Sequence, residues 1–216
     1  MTKITNVSTV SVEIPYEHGG PKAGWGGQSW NKLSILMVKV ETEDGYTGWG
    51  EGFSYNCRAA VKAAVENMVA PVVIGMDSGD IAGISRDMQQ KLHLFGRYGI
   101  TIFALSALDI ALWDIAGKRA GVPLHRLLGG AARTRVPGYA SLLKYRDAEL
   151  VGENVAKARS EGYDAIKIHE TEVPEVAAAR DVAGEGIPLM VDTNCPWTPE
   201  QARIMAGKLW EFDLHW

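Results

Sequence analysis

The sequence predicts an α+β domain followed by an incomplete α/β domain of the (β/α) barrel type. Two observations lead to this prediction. Apolar and polar residues first alternate as in β-strands, and the spacing then changes to that of helices as far as Gly121. After Gly130, strand-like and helix-like segments alternate regularly with short connections, which is typical of a parallel sheet or barrel. We therefore expect a first domain at residues 1–130 and a second at residues 131–216.

The first domain begins with three strands that are expected to form an antiparallel meander. Alternation predicts a strand at residues 3–14, and two further apolar runs lie at residues 33–40 and 46–51. The last two runs are joined by Glu43-Asp44-Gly45, a turn signal typical of hairpins. A loop rich in Gly, Pro and Trp, at residues 15–30, separates the first two strands.

Helices complete the first domain. They are predicted at residues 58–69, 81–95 and 100–119. The last of them is followed by Gly121, a residue type that commonly ends helices. Its sequence is the most apolar in the chain, but Ser106, Asp109 and Asp114 interrupt it, so we expect a buried core helix rather than a membrane span. The two aspartates are expected to be hydrogen-bonded packing or cap residues.

The second domain alternates strand and helix. The strands are predicted at residues 136–140, 165–169 and 189–192, and the helices at residues 148–160, 173–183 and 199–210. A closed barrel needs eight strands and about 250 residues, whereas this segment has three strands and the start of a fourth at Phe212. Half a barrel would expose an unpaired edge and an apolar interior. We therefore expect the sequence to be a fragment of a longer protein, with a doubly wound open sheet as the alternative.

The composition limits the classes of partner. The formal net charge is −4 and the isoelectric point is near 5.8, which does not suit nucleic acid or an anionic membrane. The N-terminal residues lack the apolar core of a signal peptide, and Cys57 and Cys195 are too few for a disulfide framework. We expect a cytoplasmic protein that binds a small molecule and neither nucleic acid nor a membrane.

Two basic side chains are predicted to share one face of a strand. Because side chains on a strand alternate between faces, Lys167 and His169 point one way, whereas Ile166 and Ile168 point toward covering helices. Such a pair can transfer a proton, and the charge of Lys167 would oppose protonation of His169. The alternative is that both side chains are simply solvated at the strand end, which is the commoner situation for an isolated Lys-x-His.

Oxygen-bearing side chains are predicted on the next strand. Asp192 and Asn194 share a face with Met190 at the C-terminal end, where the active sites of barrels lie. Asp192 is either a hard oxygen ligand for a metal ion or a turn or cap residue before Thr198-Pro199. In the first case a proton-transfer pair and a ligand pair project from adjacent parallel strands. Removal of a proton beside a carboxylate needs both a base and stabilisation of the developing charge, which a divalent cation can supply.

Aromatic residues cluster in two loops of the first domain. Tyr16 and Trp25 lie in the loop before the second strand, and Phe53 and Tyr55 follow the third strand. These side chains either line a pocket or anchor their loops.

Several motifs, in this order, resemble the mandelate racemase/muconate lactonizing branch of the enolase superfamily. They are Asp44-Gly45 and Gly48-Trp49-Gly50-Glu51 in the meander, Ala107-Leu108-Asp109-Ile110-Ala111-Leu112-Trp113-Asp114 in the long helix, Pro123-Leu124 and Leu127-Leu128-Gly129-Gly130 before the barrel, and Val191-Asp192-Thr193-Asn194. The resemblance covers essentially the whole chain and implies that the first domain caps a barrel. It also implies that the loops at residues 15–30 and 53–57 close over the site, with Tyr16, Trp25 and Tyr55 as candidates for substrate binding.

The resemblance assigns roles to the strand-end residues as well. Asp192 matches the first of three acidic ligands of Mg²⁺, and Asn194 matches a position near the substrate carboxylate. The family usually has Lys-x-Lys at the end of the second barrel strand, whereas this sequence has Lys167-Ile168-His169, which places His169 at the position of the base. The other two ligands and the opposite acid or base are expected beyond Trp216, so this chain alone is expected to be inactive.

The resemblance implies a function for the parent protein. It would be a Mg²⁺-dependent enzyme that removes the proton α to the carboxylate of a small molecule through an enediolate, with Lys167 and His169 as the catalytic candidates. A lyase that dehydrates sugar acids is the first hypothesis, and a racemase, epimerase or cycloisomerase is the second. A non-catalytic fragment or binding module is the third. The complete protein is expected to form a homo-oligomer.

Overall fold

The computed structural model describes residues 1–20, 30–130 and 133–216. The chain divides into two compact units, one of Met1–Tyr16 with Asn31–Thr134 and the other of Glu17–Trp30 with Arg135–Trp216. The described residues of the segment after the first strand, residues 17–20 and Trp30, therefore group with the second unit. A division of domains at residue 130 stays a prediction.

The first unit contains the predicted antiparallel meander. Its strands are β1 (Ile4–Pro15), β2 (Lys32–Thr42) and β3 (Thr47–Gly52), which pair in that order. Alternation places Leu36, Val38 and Val40 of β2 on one face of the sheet, and all three are fully buried. Val38 and Val40 share a core cluster with apolar residues of the helices.

Helices cover this face of the sheet. They are α1 (Arg58–Ala64), α2 (Ala70–Val73), α3 (Ile81–Lys91), α4 (Ile100–Ala120) and α5 (Leu124–Leu127). A π-helical turn, Val65–Val69, joins α1 to α2, so the helix predicted at residues 58–69 continues beyond its expected end. The helix predicted at residues 81–95 ends as an α-helix at Lys91, and only a 3-10 turn, His93–Phe95, follows it.

The long helix α4 lies in the core of this unit. By length and composition alone it is apolar enough to cross a membrane, yet half of its most apolar window is buried inside the chain. Leu108 and Ile115 are among its buried residues and belong to the same cluster as the sheet. The helix ends at Gly121, whose φ of +66° is a left-handed conformation that suits glycine. This packing agrees with the core helix that the sequence predicts.

Strand β3 approaches α4 very closely. A Cβ atom on Gly50 would lie 2.0 Å from the carbonyl oxygen of Ala107, and a Cβ atom on Gly48 would lie equally close to that of Ala111. Glycine at these positions lets the two backbones come together, which any larger residue would prevent.

Asp114 ties the same strand to the same helix. Its Oδ2 accepts a hydrogen bond from the backbone N–H of Trp49 at 2.9 Å and another from Nζ of Lys118 at 2.7 Å. Asp114 is therefore the hydrogen-bonded packing residue that the sequence predicts.

The second unit is a parallel sheet with helices between its strands. The elements are β4 (Ala140–Ser141), α6 (Ala148–Ser160), β5 (Ile166–Ile168), α7 (Val173–Ala183), β6 (Leu189–Val191) and α8 (Pro199–Leu209). The strands pair in the order β4-β5-β6, and both pairs are parallel. Ile166, Ile168 and Leu189 form a core with Val151 and Val176 of the helices. The predicted α/β alternation is thus confirmed.

The first strand of this sheet is shorter than predicted. The sequence indicated a strand at residues 136–140, but the strand begins only at Ala140, and Val136 is 81% exposed. The prediction was wrong because β5 is short and, on the side of this strand, pairs only with Ala140 and Ser141. In addition, Pro137 has no backbone N–H to offer to a sheet.

The last residues of the chain continue the sheet past β6. The backbone N–H of His215 donates to the carbonyl of Leu189, and that of Val191 donates to the carbonyl of Trp216. These hydrogen bonds lie where the sequence predicts the start of a fourth strand, after Phe212.

Candidate active site

The C-terminal ends of β5 and β6 bring the predicted strand residues together. Lys167 pairs with Met190 on one side and with Ser141 on the other. Paired residues of a parallel sheet point to the same face. Ser141 therefore lies on the same face as Lys167 and Met190, the two residues that the sequence predicted there. Lys167 is 8% exposed and therefore is not simply solvated at a strand end.

Lys167, His169 and Asp192 form a compact polar cluster. Nζ of Lys167 lies 3.1 Å from Oδ2 of Asp192 and 3.2 Å from Nε2 of His169. Nε2 of His169 lies 3.3 Å from the same carboxylate oxygen. Exposure of the side chains rises from 10% for Lys167 to 18% for His169 and 34% for Asp192, so the cluster opens to solvent on the side of the carboxylate.

A backbone carbonyl orients the imidazole of His169. Nδ1 of the ring lies 2.6 Å from the carbonyl oxygen of Leu142, the residue after β4. A carbonyl oxygen only accepts hydrogen bonds, so Nδ1 must carry the hydrogen. In the neutral ring Nε2 then has the lone pair, and this nitrogen is the one that faces Lys167 and Asp192.

Asp192 is held as a carboxylate. The backbone N–H of Asn194 donates to its Oδ1 at 3.0 Å, and Lys167 donates to Oδ2. These two hydrogen bonds, the backbone one first, lower the pKa of Asp192 against a smaller opposing effect of burial. The cluster therefore combines an ionised oxygen donor with a nitrogen base.

Asn194 contributes its backbone to this arrangement, while its side chain is exposed. Asn194 and Cys195 have φ values of +55° and +54°, and asparagine tolerates this left-handed conformation better than most residues. The hydrogen bond from the backbone N–H of Asn194 to Asp192 closes a turn, which is one of the alternatives that the sequence predicts for Asp192. Asp192 does not cap α8, because Thr198 does so by accepting from the N–H of Gln201.

The structure describes two of the three loop residues that are predicted to bind substrate. Tyr16 and Tyr55 belong to the first unit, where burial raises the pKa of both phenols. Trp25 lies outside the residues that the structure describes. The role of all three in substrate binding stays a prediction.

Two polar residues beside the cluster were missed in the sequence. Glu170 is buried and accepts hydrogen bonds from backbone N–H groups, and Lys144 donates to Oγ1 of Thr171 at 3.2 Å. A signal for Glu170 was available, because it is a charged residue on the helix-facing side of a strand end, and burial there requires a partner.

The cluster supplies part of what a metal site needs. Asp192 is a hard oxygen donor, which suits a divalent cation, but such ions take several oxygen ligands. Across residues 1–20, 30–130 and 133–216, no group of three or more His, Cys, Asp or Glu side chains converges on one point. These residues alone therefore do not complete a metal site.

Two protein families match the sequence. Residues 24–129 match the mandelate racemase/muconate lactonizing enzyme N-terminal domain. Residues 150–216 match the enolase C-terminal domain-like family. The first match lies mostly in the first unit and the second match lies within the second unit.

Individual proteins give the same result. Arabinonate dehydratase of Saccharolobus solfataricus is 33% identical over 85% of this chain and 51% of its own length. The 3,6-anhydro-alpha-L-galactonate cycloisomerase of Streptomyces coelicolor is 37% identical over 85% of this chain and 53% of its own length, so the chain spans about half the length of these curated relatives. The crystal structure of an enolase superfamily member from Polaromonas sp. JS666 superposes with a TM-score of 0.85 and 31% identity, over 99% of this chain and 58% of that one. The chain belongs to the enolase superfamily, in its mandelate racemase/muconate lactonizing branch.

Proposed function

We propose that the complete protein is a metal-dependent lyase that removes the proton α to the carboxylate of a sugar acid and eliminates water. The observation that carries this proposal is the cluster of Lys167, His169 and Asp192 at the ends of adjacent parallel strands. It places a nitrogen base beside an ionised carboxylate in a partly covered position. The proposal concerns the complete protein, because this chain spans about half the length of its relatives.

His169 is the proposed base, with Lys167 as the alternative. The Leu142 carbonyl holds the hydrogen of the neutral ring on Nδ1, so Nε2 has a lone pair that can accept the α-proton. Lys167 lies next to this nitrogen and brings a positive charge that attracts the substrate carboxylate. Loss of water then requires an acid elsewhere in the complete protein, which protonates the departing hydroxyl group.

Asp192 is the proposed first ligand of Mg²⁺. Enzymes of the enolase superfamily are generally metal-dependent, and the ionised state of Asp192 suits this role. When bound, the cation would stabilise the negative charge that develops on the substrate. The further ligands would come from outside the described residues.

The substrate class is proposed from the relatives. One is an arabinonate dehydratase and the other a 3,6-anhydro-alpha-L-galactonate cycloisomerase. We propose a sugar acid as the substrate and dehydration as the reaction. Cycloisomerisation is the second candidate reaction, because the cycloisomerase is at least as similar to this chain in sequence as the dehydratase is. Cytoplasmic location and homo-oligomeric assembly belong to the same proposal.

Product analysis in D₂O separates these reactions. The complete protein is incubated with Mg²⁺ and a panel of sugar acids, and the products are analysed by mass spectrometry and NMR. A dehydratase gives a product that lacks one water, and a cycloisomerase gives an isomer of unchanged composition. A racemase or epimerase exchanges the α-proton for deuterium without loss of water. Absence of turnover and of exchange across the panel would contradict all three.

Thermal unfolding tests the non-catalytic alternative. If the metal site is complete, adding Mg²⁺ to protein that has been treated with a chelator raises the stability of the folded protein by mass action. We expect this gain in the wild-type protein and its loss in Asp192→Asn. A melting temperature that is indifferent to Mg²⁺ in the wild type contradicts the metal part of the proposal.

A further inference from the structure

Glu170 is a buried acidic residue next to the candidate base. It follows His169 directly, and the residue is 1% exposed. A carboxylate without partners at such a position carries a large desolvation penalty. Its hydrogen bonds therefore decide whether the position can hold a carboxylate at all.

Two consecutive backbone N–H groups bind this carboxylate. Oε1 of Glu170 accepts from the N–H of Tyr145 at 2.6 Å and from that of Arg146 at 3.2 Å. Arg146 has a φ of +58°, a left-handed conformation that costs a non-glycine residue free energy. Consecutive N–H groups that converge on one anion form a backbone anion site of the nest type. Glu170 occupies this site with a group from the same chain.

The loop that forms this anion site also orients His169. Leu142, in the same loop, provides the carbonyl oxygen that accepts from Nδ1 of His169. Lys144, between Leu142 and Tyr145, donates to Oγ1 of Thr171. The loop after β4 is thus bonded to three consecutive residues after β5, and the bond to Glu170 is the one that lies in the protein interior.

We infer that Glu170 is a positioning residue for His169. By holding the loop after β4, it keeps the Leu142 carbonyl where it fixes the imidazole, so that Nε2 faces Lys167 and Asp192. The inference rests on the proposed function only where it calls His169 the base. A residue with a merely structural role would affect stability without a specific change in the ring of His169.

Four substitutions in the complete protein separate these roles. Glu170→Ala removes the acceptor, whereas Glu170→Gln keeps an Oε1 atom that can accept from both N–H groups. Glu172→Ala is the matched control, because Glu172 is an exposed carboxylate in the same connection. Glu170→Asp, which is one methylene shorter, serves where Glu170→Ala fails to fold.

The direct readout is the ¹H–¹⁵N correlation spectrum of the histidine rings, with the His169 signals assigned by their loss in His169→Asn. We expect one pattern, with the hydrogen on Nδ1, in the wild type, Glu170→Gln and Glu172→Ala. In Glu170→Ala or Glu170→Asp we expect the hydrogen to be shared between the two ring nitrogens. An unchanged His169 pattern in a folded Glu170→Ala or Glu170→Asp protein overturns the inference.

Kinetics supply a second readout and distinguish this inference from the proposed function. With a substrate found as above, kcat of Glu170→Ala should fall about 10- to 100-fold at nearly unchanged KM, because the base is displaced while binding persists. Glu170→Gln should recover most of this loss. If the complete protein turns over no sugar acid, the proposed function fails, and the ring spectrum still decides whether Glu170 positions His169.

Discussion

Nε2 of His169 and Oδ2 of Asp192 lie 3.3 Å apart, at the ends of neighbouring parallel strands. The same carboxylate oxygen accepts from Nζ of Lys167, and the other carboxylate oxygen accepts from a backbone N–H. The imidazole is held from its far side by the carbonyl of Leu142. The imidazole and the carboxylate are therefore each held by a backbone atom as well as by their neighbours in the cluster.

The first prediction concerns the base. In His169→Asn the shorter amide can still donate to the Leu142 carbonyl but offers no ring nitrogen to accept a proton, so the protein should fold. Its kcat in the complete protein should fall by about 10²- to 10⁴-fold, the usual contribution of a general base. The measurement is steady-state kinetics together with a melting curve.

His93 offers a matched control for this substitution. Its Nδ1 also lies 2.6 Å from a backbone carbonyl, that of Gln90, but it belongs to the first unit. His93→Asn should leave kcat within a few-fold of the wild-type value. If His169→Asn were equally harmless, His169 would have no part in proton transfer.

The second prediction concerns Arg180 of α7. Its guanidinium donates to four backbone carbonyls, those of Gly184 (3.0 Å), Ile187 (2.9 Å), Phe212 (2.8 Å) and Asp213 (2.8 Å). Arg180→Met should lower the free energy of unfolding of the second unit by about 3 kcal/mol, because several partly buried acceptors lose a charged donor. Denaturant unfolding measures this loss.

Arg203 provides the comparison for Arg180. It forms an exposed ion pair with Glu200 at 2.7 Å, and such pairs contribute little to stability. Arg203→Met should therefore change the unfolding midpoint only slightly. Equal effects of the two substitutions would show that the four carbonyl contacts of Arg180 do not stabilise the fold.

The third prediction concerns the close approach of β3 and α4. Gly50→Ala would place a methyl group 2.0 Å from the carbonyl oxygen of Ala107, and neither backbone can yield without loss of packing. We expect a loss of stability of about 1–3 kcal/mol, the usual cost of overpacking, or more.

Gly52 tests whether this cost arises from the backbone contact itself. It lies two residues further along β3 on the same face, and an added Cβ would meet its nearest neighbour, Cγ1 of Val61, at 3.4 Å. Gly52→Ala should be tolerated much better than Gly50→Ala in the same thermal unfolding assay. A milder effect at Gly50 than at Gly52 would contradict the argument.

The sequence predicts most of the fold because alternation and helical spacing follow burial. β2 and α4 lie close to their expected bounds for this reason. Lys167, His169 and Asp192 could be expected to meet, because the carboxyl ends of parallel strands share one edge. Strand bounds at residues 136–140 were not predictable in this way, since the short partner β5 decides them.

The role of Glu170 could not be predicted from its side chain. Its partners are the backbone N–H groups of Tyr145 and Arg146, and every residue except proline has such a group. Only the turn at Arg146 makes the two groups converge. The spacing of residue types along the sequence does not predict that these two N–H groups converge on Glu170.

The fourth prediction is a pH dependence of stability at Asp77. Its Oδ1 accepts from the backbone N–H groups of Thr2 at 2.9 Å and Gly79 at 3.1 Å, and these bonds, that of Thr2 first, lower its pKa in the folded state. A carboxyl group whose pKa is lowered in the folded state stabilises the fold at pH values above its unfolded pKa, which is about 3.9 for aspartate. This contribution is lost as the pH falls through the folded pKa.

Asp77→Asn keeps the acceptor oxygen but not the charge. Its melting temperature should lie below that of the wild type at neutral pH, and the difference should shrink as the pH falls below about 4. A difference that stays constant between neutral and acidic pH would show that the charge of Asp77 does not contribute.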